Sequence, residues 1–395
     1  MRISSLNLLQ VLSVASISLS GFISIYIFDI FYNNNYEQLD SYFTYVAISG
    51  FVFAVFGGNI RKILNPHLIK NNFSSLSLIF CIVSIILLFL SILYNTFGVL
   101  VTSLFNEIIL IPEVIYFILY LTIFLLNQIF RSVLEVSRKY ELVELITITS
   151  NLLYIWFLVA LSKPEIEIII KLLFWKTLFE ALLLAAFSYI ELIKLRFGDY
   201  KKGIADYTNL TLGNIYYKSE GLLDRYLVQG TDGFISSLSL SGTFISAAQT
   251  FYMKTRVIPL ISQFSSEIKS GKVNQISQIL KAEAKFINFI VAIGSIIFLG
   301  YVYFRNYDPF VAVIFLLNLI FFKYSLSGAV SSALLNCIQE NKKQVIFGII
   351  STTFIIPLKV FASFNSNYLI PVCSGIFVLI NYYYQATLLK REEIT

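Results

Sequence analysis

Twelve stretches of nearly unbroken apolar residues, separated by short polar connections, occupy positions 8–32, 41–60, 73–95, 112–133, 142–161, 166–190, 207–229, 233–263, 285–304, 309–336, 344–362 and 367–389. A helix needs roughly 20 such residues to cross the hydrocarbon core of a bilayer. The pattern therefore predicts an all-α integral membrane protein with about 12 transmembrane helices. The first run follows a single cation, Arg2, and is longer than the apolar region of a signal peptide, so it reads as a retained helix. The seventh and eighth runs are the most polar, because they contain Lys218, Glu220, Asp224, Arg225, Lys254 and Arg256.

Cations in the connections alternate, as they should when spans are correctly placed and Lys and Arg collect on the cytoplasmic side. Arg61, Lys62 and Lys70 follow the second run, Arg131, Arg138 and Lys139 the fourth, and Lys194, Arg196, Lys201 and Lys202 the sixth. Lys269, Lys272, Lys281 and Lys285 follow the eighth, Lys342 and Lys343 the tenth, and Lys390 and Arg391 the twelfth. The intervening connections hold only Lys163 and Arg305, and one of them is the acidic stretch from Tyr36 to Asp40. Both termini are expected to be cytoplasmic, and an even number of spans is required more firmly than twelve.

The polar connection from Arg196 to Asp206 falls near the midpoint and divides the chain into two six-helix lobes, 1–199 and 200–395. Traces of an internal repeat agree with that division. GGNIRKILNPHL closes the second run and YMKTRVIPLISQF the eighth, each with a basic residue shortly before a proline. RSVLEVSRKYELVEL and SSALLNCIQENKKQVIF form a second such pair. Transporters are commonly built from repeats of this kind, with the substrate held between them.

Composition narrows the chemistry. With 57% hydrophobic and 13% charged residues, against roughly 25% charge in a soluble domain, almost nothing is left for an aqueous domain. Cys81, Cys337 and Cys373 are isolated in apolar runs, and His67 is the only histidine, placed after Pro66 in a polar connection. No metal site, cofactor site or nucleophile triad is expected from such material. The net charge of +6 is first a topology signal, and nucleic acid is not an expected partner.

Cations within or near the apolar runs are the default functional candidates, because each costs roughly 2.5–3.5 kcal/mol at bilayer depth unless it meets a partner or a wet cavity. They are Lys171, Lys176, Lys218, Arg225, Lys254, Arg256, Lys323 and Lys359. Lys359 is expected to snorkel from a helix end, and Lys176 to pair with Glu180 four residues on. On one continuous helix Lys218 and Arg225 share a stripe, with Glu220 and Asp224 on nearly the opposite one. In the eighth run Gln249, Tyr252 and Arg256 share a face and Lys254 lies off it. Lys218, Arg225, Arg256, Lys254 and Gln249 are thus candidate substrate-binding residues for an anion, for which Arg supplies forked donors. Glu220 and Asp224 are candidate ion-coupling acids. The competing reading is that these charges pair between helices and fix the packing. Tyr216 and Tyr217 stand beside the charged stripe, as interface anchors or as platforms for a sugar ring.

The stretch SEGLLDRYLVQGTDGFISSLSLSGTFISAAQTFYMKTRVIPLISQFSSEIKSGKVNQISQILKAEAKF resembles the start of the second half of the multidrug/oligosaccharidyl-lipid/polysaccharide (MOP) exporter superfamily. Asp224 and Arg225 match its Asp-Arg near the end of the seventh helix, and Pro259 to Ser262 match its continuation after the eighth. LLNQIFRSVLEVSRKYELVELITITSNLLYIW is similar to the fourth-to-fifth helix corner of lipid-linked-precursor flippases. Together these cover about a quarter of the chain. The resemblance implies a V-shaped pair of six-helix lobes in a bacterial inner membrane. It also implies alternating access that carries a polyprenyl-pyrophosphate-linked oligosaccharide to the outer leaflet, with polysaccharide polymerase machinery as a partner. It is closest to the polysaccharide and O-antigen flippase branch. Where peptidoglycan-precursor flippases carry an arginine early in the eighth helix, this chain reads SLSGTFIS, which favours an O-antigen or capsule repeat unit.

An ion-coupled multidrug or metabolite antiporter of the same fold is the alternative, with Glu220 and Asp224 in its favour and the basic candidates against it. A membrane polysaccharide polymerase is disfavoured because the longest expected outer connection, about Asn95 to Pro112, is short. The absence of a P-loop leaves no direct ATP drive, and no enzyme activity is expected.

Overall fold

The computed structural model describes residues 5–32, 36–70, 76–104, 111–161, 164–198, 200–228, 231–257, 260, 264, 267–268, 273–337 and 341–391. Among these, helix is the sole regular secondary structure. Lys163, Lys269, Lys272, and Pro259, Ile261 and Ser262 of the resemblance lie outside the described residues.

In chain order the helices are α1 (Ser5–Phe31), α2 (Tyr36–Val52), α3 (Gly58–Lys70), α4 (Leu76–Leu104), α5 (Ile111–Val136), α6 (Tyr140–Ala160), α7 (Ile166–Ile193), α8 (Lys201–Lys218) and α9 (Glu220–Val228). They continue with α10 (Phe234–Tyr252), α11 (Val273–Phe304), α12 (Pro309–Leu317), α13 (Leu319–Cys337), α14 (Asn341–Asn365) and α15 (Leu369–Arg391). Five-residue π-helical segments, Phe53–Gly57 and Met253–Val257, follow α2 and α10. The second lies within YMKTRVIPLISQF, and the first ends on Gly57, the opening residue of GGNIRKILNPHL.

All twelve apolar runs are helical in the described residues, and eight meet the length and hydropathy of a membrane span. These eight are Val11–Phe31, Tyr36–Asn65, Ile115–Val136, Tyr140–Ala160, Gln275–Phe304, Pro309–Leu335, Ile346–Asn365 and Leu369–Arg391. Helix α4, of 29 residues, is apolar over Leu76–Ser91, the part whose side chains are described. Helix α7 carries Glu167, Lys171, Lys176, Glu180 and Glu191, α8 and α9 hold the charges already named, and α10 is rich in serine. The outer surface is what a bilayer requires: Phe304 is 82% exposed, Phe364 83% and Trp156 64%, a display of large apolar groups that water would not tolerate. The chain is a multi-pass membrane protein.

Helix ends follow from local chemistry. Arg138 (φ 60°) and Asn306 (φ 52°) are left-handed. Each closes a Schellman motif, with Lys139 N–H donating to Leu134 O and Arg138 N–H to Glu135 O at the end of α5, and Tyr307 N–H to Val302 O and Asn306 N–H to Tyr303 O at the end of α11. Pro309 then stands at the first position of α12, and the Asp308 carboxylate caps it by accepting from Phe310 N–H at 2.9 Å. Several polar connections expected from the sequence are helix instead. His67 is half-buried inside α3, and the acidic stretch from Tyr36 to Asp40 forms the first turns of α2.

Contacts divide the chain into two compact units, Met1–Gly233 and Phe234–Thr395. In the first, α5 packs on α7, α1 on α6 and α6 on α7, while α8 lies against α3 and α4 and α9 against α2. Arg61 of α3 grips Glu135 of α5, donating through Nη2 to Oε1 and through Nε to Oε2 at 3.2 Å, and Asn65 Nδ2 adds a bond to Oε2 at 3.0 Å. In the second, α13 packs on α15, α15 on α14, α10 on α12, and α11 on α13. Buried Ser236, Ser237, Ser239 and Ser241 let α10 approach its neighbours closely. Asn318, at the break between α12 and α13, donates to Ser241 Oγ at 3.3 Å.

Gly233 (φ +72°) donates its N–H to the buried Asp40 carboxylate at 3.1 Å, and a Cβ there would stand 3.0 Å from the Tyr36 ring. Gly233→Ala is expected to cost about 1–2 kcal/mol for the left-handed conformation alone. A lowered melting temperature of the purified protein is the check.

Candidate functional site

The charged stretch of the seventh run is a broken helix. Ser219 is the turn between α8 and α9, accepting from Leu222 N–H at 3.0 Å and Leu223 N–H at 2.9 Å while its own N–H donates to Ile215 O. The shared stripe expected for Lys218 and Arg225 assumed one continuous helix, and the break assigns them to different segments. Lys218 is exposed at the last residue of α8, with Tyr216 and Tyr217 in the same turn. Glu220 opens α9, Asp224 is half-buried, and Arg225 turns back to donate from Nη1 to Gly221 O at 2.6 Å. Discontinuous helices expose backbone polar groups to a bound ion or substrate, and transporters use them for that purpose.

In the second unit, half-buried Gln249 lies on α10, and Lys254 and Arg256 lie in the π segment that follows. Arg256 and Tyr252 do share a face, as their spacing predicts. Both converge on Glu283 of α11, with Arg256 Nη2 at 2.6 Å from Oε1 and the Tyr252 hydroxyl donating to Oε2 at 2.7 Å. The guanidinium also covers the Phe286 ring at 4.8 Å. The Glu283 side chain is 4% exposed and that of Arg256 47%, so the carboxylate is structural while half the cation still faces outward. Glu283 escaped sequence reasoning because the run around it, KAEAKF, reads as a polar connection, whereas α11 extends through it. π-helical segments recur at functional sites because the extra residue redirects the side chains around them.

The other ionisable candidates are also tied down. Lys171 pairs with Glu167 and lies over the Tyr116 ring, and Lys323 is half-buried over Tyr324. Lys359 does not snorkel: it is completely buried on α14, because its position faces the helix bundle and not a helix end.

A third cluster lies inside the first unit. Arg131 of α5, expected in a connection, sits within the helix and donates through Nη2 to Glu180 Oε1 of α7 and to Thr147 Oγ1 of α6 at 2.5 Å. Lys176 is 4.0 Å from the other Glu180 oxygen, the intrahelical pair anticipated from spacing. Next to it is a cavity of about 160 Å³ lined by Lys176, Tyr42, Tyr120, Asn151, Tyr154 and several serines of α1 and α2.

No protein-family model and no curated protein matches the chain. Two of the solved structures that resemble it are informative. One is the lipid II flippase MurJ in an inward closed conformation, with a TM-score of 0.75 and 19% identity over 96% of this chain and 87% of that one. The other is an inward-facing multidrug resistance MATE family transporter of the MOP superfamily, with a TM-score of 0.63 and 12% identity over 100% of this chain and 97% of that one. This chain shares its fold with these two membrane proteins, a flippase and a MATE family transporter of the MOP superfamily.

Proposed function

We propose that this chain is a flippase for a lipid-linked oligosaccharide, moving a polyprenyl-pyrophosphate-linked O-antigen or capsule repeat unit from the cytoplasmic to the outer leaflet by alternating access. The observation that carries the reading is the likeness of nearly the whole chain to the lipid II flippase fold. The surplus of cations at the candidate positions supports it. Exposed Lys218 and the outward half of Arg256 offer donors suited to a pyrophosphate, and Lys254 and Arg225 add positive charge nearby in sequence. In this reading twelve spans form two six-helix lobes with cytoplasmic termini in a bacterial inner membrane, and polymerase machinery takes up the flipped unit.

The MATE likeness favours a second reading, an ion-coupled multidrug or metabolite antiporter with Glu220 and Asp224 as its coupling acids. The cationic candidates count against an organic-cation cargo.

Deleting the gene, then assaying surface polysaccharide and the sidedness of lipid-linked sugars in inverted membranes, tests both. Loss of surface polymer with repeat units trapped on the cytoplasmic leaflet is the expected result. Normal polymer with altered drug or ion tolerance would transfer the assignment to the antiporter. Lys218→Ala should abolish complementation at an unchanged protein level. A loss explained wholly by less protein would return Lys218 to a packing role.

A further inference from the structure

The cluster inside the first unit is unbalanced in charge. Arg131 and Lys176 are two cations facing one carboxylate, Glu180, and those two partners are the charged groups that act on Lys176. All three side chains are withdrawn from the surface, at 17%, 19% and 6% exposure for Arg131, Lys176 and Glu180. A buried surplus of one positive charge is costly unless something compensates it. Arg131 donates through Nη2 to both Glu180 and Thr147, whereas Lys176, at 4.0 Å from the carboxylate, is the more weakly held cation.

What Lys176 faces is the cavity of about 160 Å³, whose polar lining is hydroxyl and amide: Tyr42, Tyr120, Tyr154, Asn151 and serines 20, 24 and 49. Among the described residues, no carboxylate lines it. The Tyr154 hydroxyl and the Asn151 carboxamide oxygen, on residues 1% and 0% exposed, have no hydrogen-bond partner among the described residues. Orphaned polar atoms at that depth point to an occupant that supplies the missing bonds. The volume holds a small ion with a few waters.

We propose that this cavity binds a small monovalent anion, a halide or a short carboxylate, held by the Lys176 ammonium and by the Tyr hydroxyls as donors, with accompanying water satisfying Asn151. The anion completes the charge of the cluster that joins α5, α6 and α7. This site shares none of the candidate substrate residues and does not depend on the cargo.

The test is the thermal unfolding of the full chain in detergent at constant sodium and ionic strength. Chloride, bromide or acetate replaces the bulky anion gluconate. A saturable upward shift of about 2–4 °C is expected with one or more of the small anions, and the anion that acts identifies the class. Lys176→Met leaves a matched Arg131–Glu180 pair and should fold; it is expected to erase the response. Tyr154→Phe, which removes only the orphaned hydroxyl, should weaken it, and Lys171→Met should leave it intact. Equal melting in every sodium salt would overturn the proposal, because the surplus charge would then be relieved by loss of the Lys176 proton. A full response in Lys176→Met that persists in Tyr154→Phe would also overturn it, by locating the anion elsewhere.

Discussion

Glu180→Leu is expected to deplete the folded protein almost completely. Among the described residues the carboxylate is the single anion paired with Arg131 and Lys176, and Thr147 adds a contact at 3.4 Å. Removing it leaves two cations facing each other inside the junction of α5, α6 and α7. Breaking a buried ion pair by deleting one partner costs about 3–5 kcal/mol, set against a total stability of roughly 5–15 kcal/mol. Here a second cation is stranded as well. Thermal unfolding and membrane yield are the measurements. The triple variant Arg131→Met, Lys176→Met, Glu180→Leu, which empties the junction of charge, should recover most of the loss, since apolar replacement of a whole buried cluster is often neutral or better. A single variant that melts like the wild type would mean that the cluster contributes nothing to packing.

The second large effect concerns Arg256, and it separates packing from transport. Glu283 is buried and engaged by both Tyr252 and Arg256, so Glu283→Gln or Arg256→Ala should lower protein level as well as activity. Because Arg256 is nearly half exposed, solvent screens the pair, and the stability loss should fall well short of the Glu180 case. Arg256→Lys is the informative change. An ammonium can still reach Glu283, but it lacks the planar fork that holds a phosphate by two parallel bonds. On the flippase reading, Arg256→Lys retains normal protein level and loses about 10- to 100-fold in transport, the equivalent of about 1.4–2.8 kcal/mol. Transport at the wild-type rate would confine Arg256 to holding α10 against α11.

Each of these variants acts where two helices meet, and that is where the sequence was least informative. Spacing along one helix predicted the Lys176–Glu180 pair and the common face of Tyr252 and Arg256, and both are present. Arg131 and Glu283 were placed in connections, because a charge at or beyond the end of an apolar run looks solvated. In the structure α5 continues to Val136 and α11 begins at Val273, so both charges are helical and meet partners from other helices. The expected snorkelling of Lys359 failed for the same reason: a one-dimensional pattern records distance from a helix end but not which side faces the bundle.

The sequence by itself determined that the chain is helical and lives in a bilayer. Apolar runs long enough to span it leave the backbone no other way to satisfy its hydrogen bonds in hydrocarbon. The sequence also showed that its rare charges are concentrated in few places. The tertiary structure decided what those charges do: that Arg61 and Glu135 join α3 to α5, that Ser219 divides the charged seventh run, that Arg256 answers to Glu283, and that Lys176 borders a polar cavity. Pairing between helices depends on which faces are brought together across tens or hundreds of residues. Helical periodicity carries no information about that.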